Sequence, residues 1–273
     1  EINPDAAELC DLVDHDCDGD ATNGFDDSDR SGTVDCREVA VVLSWAFQDN
    51  DRDGTCDNQN YVDREFAEIN AILNDMELEA VAIFEDENDG VSLSQIEPYA
   101  LTIYHNGGWS DSVRTNTIDA LVDLHEAGQA FLLVGDDVGN QINKTYESTG
   151  DGRLQKMAAI ASCSSNNDGG NNVKAADAAH PFVDGTYGVT GGFSYVADLD
   201  QLTLAETDGL SVAMYSDSSN NPVSWSIEKE NRGRVGVIQP SLYNSHDCPI
   251  SDEDGLLQIA TLFQNAMNWL INE

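Results

Sequence analysis

The sequence predicts an α/β protein, with a doubly wound and mostly parallel sheet preceded by an aspartate-rich segment of different character. Three observations carry this reading. Short apolar runs rich in β-branched residues, such as Val39–Leu43 and Ala130–Val134, are what strands buried on both faces require. These runs alternate with stretches of helical periodicity, as strand–helix–strand units do. The acid is also concentrated: residues 1–57 hold 17 Asp or Glu against 3 Arg, in a chain of net charge −39.

The elements follow in order. Residues 38–45 (EVAVVLSW) read as a buried strand. Residues 61–76 place Tyr61, Phe66, Ile69 and Leu73 at helical spacing. Strands are expected over 79–86 and 99–108, a helix over 112–128 and a strand over 129–137. A short helix near 154–162 precedes an Asn/Gly-rich loop from Ser164 to Asn172. Further strands are expected over 194–199, 210–217, 222–230 and 233–241, and a closing helix over 254–272. That order gives a flavodoxin-like sheet. No linker divides the second part, so the chain parses into an Asp/Cys-rich segment, 1–37, and an α/β domain, 38–273, with a further Asp-rich loop at 49–60.

The charge excludes whole classes of partner. Phosphate backbones need clustered Lys and Arg, and the chain has 12 of these against 51 acids, so nucleic acid is not expected. Anionic membrane surfaces are disfavoured for the same reason, and the apolar runs are too short for membrane insertion. Halophilic adaptation explains a uniformly acidic surface but not this local concentration. The chain begins at Glu1 rather than Met, as it would after removal of an export signal or at a fragment boundary. Six cysteines without a CxxC pair argue for disulfides in an oxidising compartment. Cys10–Cys17, Cys36–Cys56 and Cys163–Cys248 is one of the fifteen pairings that six cysteines allow.

Between Val13 and Cys36 eight aspartates are interrupted by glycines. Calcium takes six to eight hard oxygen ligands from alternate residues of a tight loop, with Gly at the sharp turn. Residues 27–38 meet that pattern through the twelfth position. Asp27, Asp29 and Ser31 supply side-chain oxygens, Gly32 the turn, Thr33 its carbonyl, Asp35 a direct or water-mediated ligand and Glu38 the bidentate close. The same opening recurs at Asp14, Asp16, Asp18 and at Asp49, Asp51, Asp53. Phe25 and Asn60 stand at the twelfth positions there, so further ligands such as Asp57 are needed. A solvated acidic turn is the plainer alternative for those two. The exit helix of a standard calcium hand conflicts with the β-branched run after Glu38, and strand is preferred.

Residues 5–20 (DAAELCDLVDHDCDGD) resemble the metal-binding repeat of bacterial surface proteins related to MopE, through Cys10, Asp11, Asp14, Asp16, Cys17, Asp18 and Gly19. That resemblance implies metal binding and a secreted or cell-surface location. Copper is associated with the family and His15 is suitably placed, but an all-oxygen ligand set favours calcium. From about residue 38 to 271 the chain resembles the class I glutamine amidotransferase-like superfamily, especially its ThuA-like branch. The carrying motifs are YHNGGW, HEAGQAFLLVGDDVG, AHPFVDG, GRVGVIQPS and NAMNWL. The resemblance implies a flavodoxin-like sheet with a shallow pocket at the carboxyl ends of its strands.

The departures bear on function. Where the family's nucleophile turn reads G-x-C-x-G, this chain has Gly135-Asp136-Asp137-Val138-Gly139, with Asp137 in place of cysteine, and the late His-x-Glu pair is absent. Gly107 and Gly108 match a glycine pair whose amides face an oxyanion, but acyl transfer needs the nucleophile as well. Catalytic candidates are Asp86, His105 and Asp137, in a strand-end group with Glu85, Asn106 and Asp136. Paired carboxylates there could serve a hydrolase acting on carbohydrate. The expected function is an exported calcium-binding structural or surface-interaction protein, associating with itself or other cell-surface components when calcium is present. The alternatives are a carbohydrate hydrolase and a non-catalytic carbohydrate-binding module.

Overall fold

The structure, a computed structural model, describes residues 37–44, 58–86, 88–106, 112–135, 137–167, 171–195, 199–216, 221–242 and 253–272. In chain order its elements begin with β1 (Glu38–Leu43), α1 (Asn58–Asn74), β2 (Glu79–Phe84), β3 (Leu101–His105), α2 (Thr115–Ala127), β4 (Phe131–Val134), α3 (Val138–Thr149) and α4 (Arg153–Met157). They continue with β5 (Ile160–Asn167), β6 (Asn171–Ala175), β7 (Asp184–Gly185), β8 (Gly188–Val189), β9 (Phe193–Tyr195) and β10 (Leu199–Leu204). The last four are β11 (Leu210–Ser216), β12 (Pro222–Ile227), β13 (Val235–Ile238) and α5 (Glu253–Asn272).

Every residue of β1 is buried, and the two-residue side-chain period sorts them between two cores. Val39, Val41 and Leu43 face the layer of α1 and α5, with Ile69, Leu73, Leu262, Phe263 and Met267. Ala40 and Val42 face the layer of α2, α3 and α4, with Ile118, Leu121, Ile142 and Leu154. Burying one such side chain contributes about 1.5–3 kcal/mol. The sheet is therefore covered on both faces, which is why its central strands read as unbroken apolar runs.

The nine-stranded sheet has the order β2-β1-β3-β4-β13-β12-β11-β6-β9. Its first five strands are mutually parallel. Their order is that of the flavodoxin-like doubly wound sheet, with the switch point between β1 and β3. From β13 to β9 the pairing becomes antiparallel. Strands β5 and β10 lie outside this sheet and pair antiparallel as a separate arm.

The segment after Glu38 is a strand, as its β-branched run indicated. The second half differs from expectation in four places. The helix expected over 154–162 stops at Met157, because the Trp225 indole N–H donates to the Ala158 carbonyl at 2.8 Å. Ala159 then turns at φ 55° and Ala205 N–H takes its carbonyl at 2.7 Å, which launches β5. The loop expected from Ser164 to Asn172 is narrowed by β5, which runs to Asn167, and by β6, which starts at Asn171. Helix α3 was not foreseen. Of the strand expected over 194–199, residues 193–195 form β9 and residue 199 opens β10, while 196–198 lie outside the described residues.

Candidate functional site at the strand ends

The carboxyl ends of β1 and β3 flank the switch point, where open α/β sheets place their ligands, and those of β4 and β13 follow beside them. His105 ends β3 and is fully buried. Its Nε2 lies 3.1 Å from Glu65 Oε1, a carboxylate of α1 that is equally buried. The Leu242 amide also donates to Glu65 Oε1, at 3.0 Å. Burial would be costly for this carboxylate without such donors. Glu65 thus joins α1, the end of β3 and the segment after β13.

The opposite face of β3 carries a second buried network. Tyr104 Oη donates to Glu85 Oε2 at 3.4 Å, and Thr117 Oγ1 to Glu85 Oε1 at 2.6 Å. Gln141 Nε2 donates to Tyr104 Oη at 3.2 Å. Burial, and then the Glu85 carboxylate, push the Tyr104 phenol well above its ordinary range. Both networks couple strand ends to the helices that cover them, which fits a positioning role.

The turn after β4 is set by backbone contact. Gly135 has φ 129°, and a Cβ there would lie 1.5 Å from the Asn106 carbonyl oxygen, so a side chain has no room. Asp136 is outside the described residues. Asp137 stands at the N-cap of α3 with φ −103° and ψ 11°, a conformation open to any residue. Its carbonyl accepts from Gln141 N–H at 2.9 Å and from Asn106 Nδ2 at 3.2 Å.

The arm of β5 and β10 brings two further groups to this helix. Asp200 Oδ2 accepts the Asn140 amide at 2.7 Å, and Cys163 Sγ donates to Asp200 Oδ1 at 3.7 Å. Burial, and next the charge of Asp137, raise the Asp200 carboxyl to about 7. Asp200 occupies amides at a helix N-terminus, the place that favours a negative charge. Neither Glu65 nor Asp200 was anticipated. A signal existed for Glu65, which falls between Val62 and Ile69 on the buried stripe of α1.

The three catalytic candidates separate. Asp86 is exposed, and its Oδ1 accepts the amides of Asn88 and Asp89, each at 2.9 Å, which lower its pKa. Its carboxylate caps its own turn. His105 is held by Glu65, and Asp137 lies beside Asp200. His180 is a structural histidine: its Nδ1 accepts the Phe182 amide at 3.1 Å and its Nε2 lies 3.1 Å from Ser226 Oγ. Burial lowers its pKa to about 4.

Of the calcium-loop residues only Glu38 is described; it is fully buried at the first position of β1. Asp14, Asp16, Asp18, Asp27, Asp29, Ser31, Thr33, Asp35, Asp49, Asp51, Asp53 and Asp57 lie outside the described residues, as do Gly107, Gly108 and His246. Among the described residues no cluster of three His, Cys, Asp or Glu is arranged to hold a metal. The one described cysteine, Cys163, makes the contact to Asp200; Cys248 and the other four lie outside. No described helix is long and apolar enough to cross a membrane.

A ThuA-like protein from Bacteroides uniformis superposes with a TM-score of 0.55 at 13% identity, over 87% of this chain and 93% of that one. The fold is ThuA-like. A second ThuA-like protein, from Parabacteroides merdae, gives 0.51 at 12% identity over 87% of this chain and 90% of that one. The same architecture matches part of a cold-adapted β-galactosidase from Rahnella, with a TM-score of 0.53 at 14% identity, over 85% of this chain and 31% of the galactosidase. Identities this low establish the ThuA-like fold alone. No family model and no curated protein matches the chain.

Proposed function

We propose that the protein is an exported, calcium-binding structural or surface-interaction protein on a ThuA-like fold without acyl-transfer chemistry. The pattern of residues 27–38 carries the reading, because its closing ligand position, Glu38, is also the first residue of the central strand β1. A cation held there would tie the acidic segment to the most buried part of the fold. The MopE-type core at Cys10–Gly19 points to the cell surface as well, and disulfides among the acidic loops would suit that location. At the strand ends, Asp137 has no thiol or hydroxyl to offer an acyl group.

Calcium would act on the solution behaviour of so acidic a chain. Copies of net charge −39 repel one another, and ions bound in the loops would reduce that repulsion and permit association. Exhaustive chelation should lower the melting temperature, since an ion that binds only the folded state adds roughly 2.7 kcal/mol at a hundred times its dissociation constant. Glu38→Gln should weaken calcium binding measured by calorimetry. Light scattering should show larger particles in millimolar calcium than in chelator. An unchanged melting temperature after verified metal removal would reject the calcium reading; a monomer in both conditions would reject self-association.

A second reading is favoured by one observation. Asn106 Oδ1, Ser224 Oγ, Gln239 Oε1 and Ser241 Oγ are buried without a hydrogen-bond partner among the described residues, all near the carboxyl ends of β3 and β13. Buried polar atoms normally find partners. A hydroxyl-rich ligand such as a carbohydrate would supply them. Turnover of a glycoside that Asp137→Ala abolishes would favour a hydrolase; carbohydrate binding without turnover would favour a binding module.

A further inference from the structure

At the opposite, amino-terminal ends of β3, β4 and β13 lies a cavity of about 440 Å³. Its size falls within the roughly 300–1,000 Å³ of small-molecule sites. Lys229, Arg232 and Arg234 line it together with Glu228, and Ala100, Ala130, Leu270 and Ile271 add apolar surface. This is unexpected in a chain with 12 cationic side chains and 51 acidic ones, where acids should surround each cation.

The pairing inside the cavity sharpens the anomaly. Arg232 Nη1 lies 2.9 Å from Glu126 Oε1, and Arg234 Nε lies 2.9 Å from Glu228 Oε1. Arg234 Nη1 also donates to the Trp269 carbonyl at 2.9 Å, and its guanidinium sits 4.9 Å from the Trp269 ring centroid, so it is held in place. Lys229 is partly buried and has no carboxylate partner among the described residues. Two exposed glutamates therefore answer three cations, and the Lys229 charge remains close to the apolar side chains of the lining.

We infer that this cavity binds a small organic anion, with its charged group against Lys229 and Arg232 and its apolar part against Ala130, Leu270 and Ile271. A partly buried ammonium gives a charge-assisted contact that is weakened less than one in bulk water. The site is independent of the calcium loops and of the strand-end networks.

Calorimetric titration with phenyl phosphate, at fixed ionic strength and without calcium, tests the inference. One saturable site is expected, bound more tightly than inorganic phosphate because only the aryl compound uses the apolar side chains of the lining. Lys229→Ala should weaken binding roughly ten-fold or more. Lys156→Ala, at an exposed lysine outside the cavity, should leave it unchanged. His125 supplies a second readout, since the charges of Lys229 and Arg232 bear on its buried ring. An anion between them should raise the His125 pKa followed by proton NMR. No saturable binding, equal weakening by the two lysine variants, equal affinity for inorganic phosphate or an unmoved His125 would each overturn the assignment.

Discussion

Glu65 and Asp200 are both buried carboxylates near the carboxyl ends of the strands, yet their surroundings differ. Glu65 receives the His105 imidazole and the Leu242 amide on one oxygen. Asp200 receives backbone amides of α3 and the Cys163 thiol, but it also faces a second acid, Asp137. For Asp200 burial comes first, and the like charge of Asp137 at the same helix end adds to it in pushing the acid toward its neutral form.

The largest effect should come from breaking the Glu65 contact. Glu65→Ala removes the partner of a fully buried histidine and of a buried amide, and should cost about 3 kcal/mol or more. Urea denaturation should show a lower midpoint with an unchanged slope. Glu65→Gln keeps an acceptor and should lose clearly less; equal losses would show that the hydrogen bonds contribute little.

Next comes the pH dependence set by Asp200. Its folded pKa of about 7 lies above the ordinary 3.8, so the folded state holds a proton that the unfolded chain releases. The stabilisation is complete below about pH 4 and is lost as pH rises through about 7. At ~1.4 kcal/mol per unit, the change amounts to a few kcal/mol across that window. Asp200→Asn should remove this falling component, which denaturation at a series of pH values would detect. A parallel pH profile in the variant would refute the protonated carboxyl.

A smaller effect of opposite sign should come from His180. Its folded pKa of about 4 lies below the ordinary 6.5, so its contribution is complete above about pH 6.5 and is lost as pH falls through about 4. His180→Asn keeps an acceptor for the Phe182 amide and should flatten the acid limb. With both residues intact the two trends oppose each other between about pH 4 and 6.5. The single variants should therefore diverge more from one another than either does from the parent protein.

Legibility in the sequence followed burial. Strands β1, β3 and β4 are buried on both faces and appear as apolar, β-branched runs with few alternatives. Helix α5 announces itself through Leu262, Phe263, Ala266, Met267 and Leu270. Helix α3 does not: its buried face uses Gln141 and Thr145 beside Val138 and Ile142, so its apolar period is diluted. The arm of β5 and β10 is equally quiet, since one of its buried residues is Asp200. At the strand ends the positions of His105, Asn106 and Asp137 were readable, but their partners were not. Glu65 is 40 residues from His105 and Asp200 is 60 from Asn140, separations that local pattern cannot span.

The carboxyl group of Asp200 at the start of α3 also bears on what chemistry position 137 could be given. A thiol nucleophile at position 137 would depend on the field of the same helix end to become a thiolate. Those amides already serve a carboxyl group, and any charge that group carries would oppose a second anion beside it. Installing a reactive cysteine at Asp137 would therefore take two changes, the new side chain and the withdrawal of the acid delivered by the arm of β5 and β10. The two lie 63 residues apart in sequence, from 137 to 200, so no single substitution crosses that gap.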